Sequence, residues 1–135
     1  MKDTVNYFAI IVSAVSAYVL SSVWYLVLFR APYMEALGKT KEQMDKGPSM
    51  LSASIIQFIG NLIMAYGLVW LMNRLGYDGS VKGMQLGLII WIAFVAAVFG
   101  PMYAFEASSF KLLLINTGSV LISLLAMGAI LGGWR

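Results

Sequence analysis

Four stretches of this chain, Val5 to Phe29, Leu51 to Met72, Met84 to Phe105 and Leu112 to Trp134, contain no Asp, Glu, Lys or Arg. Each has roughly 20 or more residues, the length at which a helix rising ~1.5 Å per residue crosses a ~30 Å hydrocarbon layer. A chain of 135 residues that is 61% hydrophobic and 11% charged cannot hide that much apolar surface in a core of its own. Soluble domains carry about 25% charged residues. In lipid the backbone must satisfy its own hydrogen bonds, so each run has to be a helix. The expected fold class is therefore an all-α integral membrane protein, a four-helix transmembrane bundle making one domain over residues 1–135. Its spans are expected near 5–29, 51–73, 84–105 and 111–134. The "SAVSA" at 13–17 has the small residues of a signal-peptide cleavage site, but Asp3 follows the early Lys2 and apolar sequence runs on beyond it, so it reads as part of a span.

The segments between the runs are punctuated by turn residues. Ala31-Pro32 suits a helix start with Pro at its first position, and Gly38 suits its end. Phe29, Tyr33 and Leu37 recur at i, i+4, i+8 and make one apolar stripe, so the amphipathic 30–50 segment is expected to open with a short helix lying at the membrane interface. Thr40 to Gln43 fits a capping box, Gly47-Pro48 a stop, and Ser49 an N-cap for the second span. Gly76 can close that span, with "YDGS" as a tight turn and Ser80 capping the third. Gly100-Pro101 should kink or end the third span, and Ser108 or Ser109 can cap the fourth. Trp24, Tyr25, Tyr33 and Trp134 stand where amphipathic rings prefer the membrane–water boundary.

Four spans put both termini on one side, with Lys2, Arg74, Lys82 and Arg135, and leave Arg30, Lys39, Lys41, Lys46 and Lys111 on the other. Counting the terminal amine, the sides balance and the positive-inside rule selects no orientation. Either a partner or the insertion machinery sets one orientation, or both are made and paired antiparallel. The scattered basic residues, net +3, are membrane flanks and not a nucleic-acid patch.

The chain has no cysteine and no histidine. That excludes disulfides, ordinary zinc sites, bis-histidine haem, cysteine nucleophiles and Ser-His-Asp triads within the chain. No cofactor and no metal is expected. The nine methionines show no clustered copper motif and read as core filler.

Polar side chains inside the runs are where function could reside, because in lipid each needs a partner. Gln57 and Asn61 share a face of the second span, and Asn116, Ser119 and Ser123 mark one side of the fourth. Tyr18 and Tyr66 lie deep in the first and second. Together these seven could form a polar pocket, or serve as ordinary interhelical hydrogen bonds at about 0.6 kcal/mol each. The second reading is favoured, because no ionisable group joins them. Glu106, in "MYAFEASSF", is a carboxylate close to a span end and a candidate ionisable site; the following "ASS" turn and Lys111 favour an interfacial place for it. Small residues recur at i, i+4 as Ser13, Ala17 and Ser21, as Gly83 and Gly87, and as Gly128 and Gly132, letting backbones approach closely within the bundle or between protomers.

"WYLVLF" followed by "YMEALG" resembles the signature of the small membrane proteins grouped as domain-of-unknown-function family 1761, at Trp24, Tyr25, Leu28, Phe29, Tyr33, Met34, Leu37 and Gly38. "INTGSVLISLLAMGAILGGW" is similar to that family's last span, with Asn116, Gly128 and Trp134 at its landmarks. The chain differs after Phe29, where Arg30 follows and the Pro comes at 32. The resemblance implies a four-span fold and brings no activity and no catalytic residue.

Three functional readings follow. The first is a non-enzymatic bundle acting by assembly, as a homo-oligomer or an accessory subunit of another membrane protein, in a bacterial-type inner membrane. The second is a small transporter or channel for a neutral or lipophilic molecule. The third, a lipid-acting enzyme, has a single carboxylate to work with and is the weakest.

Overall fold

The computed structural model describes residues 5–39, 42–43, 47 and 49–134. Thr40 of the expected capping box, Pro48, and the basic residues Lys2, Lys41, Lys46 and Arg135 lie outside the described residues. The elements are α1 (Tyr7–Val23), continued by a π-helical turn (Trp24–Leu28); α2 (Arg30–Leu37); α3 (Met50–Leu75); α4 (Ser80–Ile90), a second π-helical turn (Trp91–Ala96) and α5 (Ala97–Phe105); and α6 (Phe110–Gly133). The described residues are all-helical and contain no strand. They hold four long helices, Tyr7–Leu28, Leu51–Leu75, Ser80–Phe105 and Phe110–Gly133, long and apolar enough to cross a membrane.

Side chains and left-handed residues set the helix ends. Asn6, Ser49 and Ser109 each accept a bond from the backbone N–H three residues on, the usual N-cap geometry. Gly38 (φ 65°) and Gly76 (φ 70°) close α2 and α3 in the left-handed region that glycine adopts without strain. Two expectations need correcting. Pro32 is the third residue of α2, because Phe29 stands at the N-cap. Gly79 (φ 95°) occupies the N-cap of α4, while the Ser80 hydroxyl reaches across to donate to Ala129 O at 2.9 Å. The third long helix does not end at Gly100-Pro101 but runs on to Phe105, the far bound expected for that span. The widened π turn ends one residue before Ala97, whose carbonyl the Pro101 ring would otherwise crowd.

Helix α6 is the hub; α1, α3 and α4 pack against it, and α2 lies over its first turns. The α4–α6 seam is backbone on backbone. A Cβ built on Gly83 would fall on the Gly128 carbonyl, and one on Gly128 on the Gly83 carbonyl. Gly79 N–H donates to Gly132 O at 3.0 Å across the same seam. The two glycine runs therefore meet each other inside the chain. At this end of the bundle Asn6 donates to Trp134 O (3.4 Å), and Phe8 meets the Trp134 ring edge-on, so the described ends of the chain lie together.

Packing is unequal along the bundle. The buried residues of α3 are Asn61, Ala65, Leu68, Val69, Met72 and Asn73, all in the half toward the chain ends, and residues 51–60 include none. The third long helix buries Gly83, Leu86 and Gly87 and nothing from Trp91 to Phe105. The bundle is tight at the end holding the termini and splayed at the α2 end.

Candidate functional site

The splay leaves a cavity of about 270 Å³ between the first, second and fourth long helices. Its polar lining is Ser21, Tyr25, Gln57, Asn61, Ser119 and Ser123, with Met64 and Val120 completing the wall. Among the described residues no charged side chain lines it. Some of these groups are satisfied by the protein. Ser21 and Ser119 hydroxyls face each other at 3.4 Å, and Asn61 Nδ2 donates to Ala14 O at 3.3 Å. Others are not. Ser123, only 5% exposed, and Gln57 find no hydrogen-bond partner among the described residues, and the Asn61 side-chain oxygen has none. The hydroxyl that is both sealed and unpaired is that of Ser13, so the Ser123 hydroxyl is in contact with the cavity space. Buried polar groups are normally paired; the buried Ser123 hydroxyl and Asn61 oxygen, with the exposed Gln57 amide at the edge of the hollow, are groups that a hydrogen-bonding ligand would satisfy.

The cavity is closed toward α2 by a second cluster built on Ile115 to Ser119 of α6. Tyr25 Oη donates to Asn116 Oδ1 at 2.7 Å, and Asn116 Nδ2 donates to Tyr103 Oη at 2.7 Å. Tyr33 of α2 stacks edge-on against Tyr25, ring centres 4.8 Å apart. Burial, with Tyr103 nearby, holds the Tyr33 phenol above its ordinary pKa and keeps it neutral. Two tryptophans dock on the same turn from different helices. Trp24 Nε1 donates to Ile115 O (2.9 Å) and Trp91 Nε1 to Thr117 O (2.7 Å). The Trp24 ring lies over Gly118, where a Cβ would sit 2.8 Å from it, so a side chain here would have to push the ring aside. Each tryptophan is the first residue of a π turn; in the first, Phe29 N–H bonds back to Trp24 O at 2.9 Å. The extra residue per turn lets the ring leave its helix face and reach α6.

The model of the family described as "Protein of unknown function (DUF1761)" matches residues 8–132. The chain belongs to that family. The DUF1761 match takes in α2, the cavity, the Ile115–Ser119 turn and the four long helices except Tyr7 and Gly133. No curated protein and no solved structure matches the chain significantly.

On this DUF1761 chain the residues singled out from sequence fall into separate places. Gln57, Asn61, Ser119 and Ser123 come together in the cavity. Asn116 sits beside it, engaged by the two tyrosines. Tyr18 instead faces outward, donating to Ser54 Oγ at 3.0 Å over an apolar groove of about 310 Å³ lined by Val15, Ile55, Phe58 and Ile59. Tyr66 is 46% exposed and does not line the cavity. Glu106 is exposed at the end of α5, also outside the cavity lining. Trp134 packs on Phe8. Lys111 pairs with Glu35 of α2 at 3.5 Å, both well exposed. Among the described residues no group of three or more metal-ligating side chains exists. In the sequence Ser21 belongs to a small-residue run and Tyr25 to the interfacial aromatics, and nothing there marks Met64 or Val120 as wall residues. The i+4 step from Ser21 to Tyr25 and from Ser119 to Ser123 was the available signal for a shared wall.

Proposed function

We propose that this chain is a multi-pass membrane protein, in a bacterial-type inner membrane, that holds and carries a small neutral molecule in the cleft between its first, second and fourth long helices. The bilayer covers the exposed apolar side chains, Ile11, Ile56, Ile63 and Phe94 among them. The single observation that carries the ligand reading is the set of unpaired polar groups, Gln57, Asn61 Oδ1 and Ser123, around an uncharged hollow. The lining supports binding over chemistry, since its described residues include no carboxylate, lysine or arginine to move a proton or stabilise charge. The glycine runs that favoured self-assembly are in contact within the chain, and they no longer argue for a protomer interface.

The test is native mass spectrometry of protein purified in mild detergent, with co-purifying species identified. Wild-type protein should carry a reproducible small molecule or lipid at one per chain. Combined Asn61→Leu and Ser123→Val should lose it while retaining helical circular dichroism. A bare wild-type protein, or the same complement on both, would count against the proposal. Assembly remains a second reading on one observation: nothing from Trp91 to Phe105 is buried, leaving a face that a second copy or another membrane protein could cover. A defined homo-oligomer in the same spectra would favour it.

A further inference from the structure

Resting on the ligand reading above, we infer that the ligand is a neutral single-chain amphiphile of the monoacylglycerol or long-chain alcohol class, which reaches the cleft sideways from the membrane leaflet on the α2 side.

Toward the termini the bundle is sealed by the glycine seam and by Leu68, Met72, Met127 and Leu131, each at most 2% exposed. Toward the α2 surface, Tyr25 is bonded to Asn116, Asn116 to Tyr103, and Tyr33 covers Tyr25. An end-on route for a water-soluble molecule would have to break that stack. The side is different. Gln57 is exposed while lining the cavity, and it lies on the half of α3 that buries nothing. The cavity therefore communicates with the lateral surface past Gln57. That surface is apolar: Leu51, Ile55, Ile56 and Ile59 are exposed around it. A molecule taking this route must already be dissolved in the hydrocarbon layer.

Size and charge narrow the class. An apolar cavity of about 150 Å³ holds a benzene, so about 270 Å³ takes a polar head with the first few methylenes and not a whole lipid. The rest of the chain stays against the exposed isoleucines of α3. With no charge among the described lining residues, a carboxylate, phosphate or ammonium head would go uncompensated in a low-dielectric site. Hydroxyls and a carbonyl suit what is free: a Ser hydroxyl, an amide oxygen and a whole glutamine amide, offering donors and acceptors together.

The experiment titrates detergent-solubilised protein with 1-monooleoylglycerol, with oleate and with glycerol, read by native mass spectrometry. The proteins are wild type, Gln57→Leu, Ser123→Val, and Tyr66→Phe as a variant outside the cavity. Tryptophan-fluorescence melts keep only variants that remain folded. Monooleoylglycerol should bind at one per chain, about five- to tenfold more weakly in each cavity variant, as expected for loss of one or two hydrogen bonds, and unchanged in Tyr66→Phe. Oleate and glycerol should bind at least tenfold more weakly. Glycerol binding as well as monooleoylglycerol, with the same dependence on Gln57 and Ser123, would overturn the amphiphile while leaving the cleft reading intact. Oleate binding as well, with that dependence, would overturn neutrality. If no probe binds in a way that depends on Gln57 or Ser123, both the inference and the cleft reading fall.

Discussion

Alanine substitutions along the glycines give a graded test of the α4–α6 seam. In a helix, Gly→Ala by itself stabilises by about 0.5–1 kcal/mol, because glycine has more backbone entropy to lose. Gly60 has nothing within 4 Å of its would-be Cβ, so Gly60→Ala should show that gain undiminished. At Gly87 the new Cβ would sit 2.7 Å from Leu124 O, short of ordinary contact at 3.4 Å by about 0.7 Å. Two packed helices have to part by a comparable distance, and overpacking of this kind costs about 1–3 kcal/mol. After the propensity gain the net loss is about 0–2.5 kcal/mol, centred on about 1 kcal/mol. At Gly83 and Gly128 the Cβ would fall on a backbone carbonyl that cannot rotate away, so the loss exceeds that at Gly87. The expected order of stability is Gly60→Ala, wild type, Gly87→Ala, then Gly83→Ala and Gly128→Ala. SDS titration of protein in mixed micelles, followed by tryptophan fluorescence, measures it, with Trp24 and Trp91 docked on α6 as reporters. Gly83→Ala as stable as Gly60→Ala would refute the seam.

Further expectations concern the polar cluster and the loops. Asn116→Leu removes the partner of both Tyr25 and Tyr103 and should cost about 1–2 kcal/mol, more than Tyr25→Phe at about 0.5–1.5 kcal/mol, measured by the same SDS titration and coupled in a double-mutant cycle. Ala107 sits at φ 55°, where a side chain is strained, so Ala107→Gly should stabilise by about 0.5–1 kcal/mol in thermal melts. The Tyr33 phenol has a raised pKa when folded, so the folded state holds its proton longer than the unfolded chain does. Its contribution to stability is complete below pH about 10 and is lost as pH rises from there through the folded value. Ultraviolet difference titration of wild type against Tyr33→Phe should assign the missing transition to a pH above the ordinary tyrosine range.

The long helices were legible because uncharged apolar length admits only one kind of backbone in lipid. Ser49, Ser109, Gly38 and Gly76 were legible because cap chemistry is local. Gln57, Asn61, Ser119 and Ser123 could be picked out as polar groups on two helix faces, yet their meeting depends on which helices become neighbours. Tyr66 shows the other side of this: a tyrosine deep in a run looks identical in sequence whether it turns inward or outward. The Trp24 and Trp91 contacts were beyond reach, since their acceptors are backbone carbonyls of α6 and the π turns that aim them have no local signature. Ser80 was read as a cap from its neighbours alone; the approach of α6 gives its hydroxyl the Ala129 carbonyl instead.

The central claim is an accessible polar hollow inside the bundle, and the absence of natural cysteine makes it directly measurable. Ser123→Cys and Ser13→Cys each place one thiol inside a long helix at a buried position, Ser123 at 5% exposure and Ser13 at 0%. Only the former lines the cavity. Treated in membranes with methyl methanethiosulfonate and weighed by mass spectrometry, the Ser123→Cys protein should be modified at least tenfold faster than the Ser13→Cys protein. Equal rates in the folded protein, or no reaction of the Ser123→Cys thiol, would contradict the account.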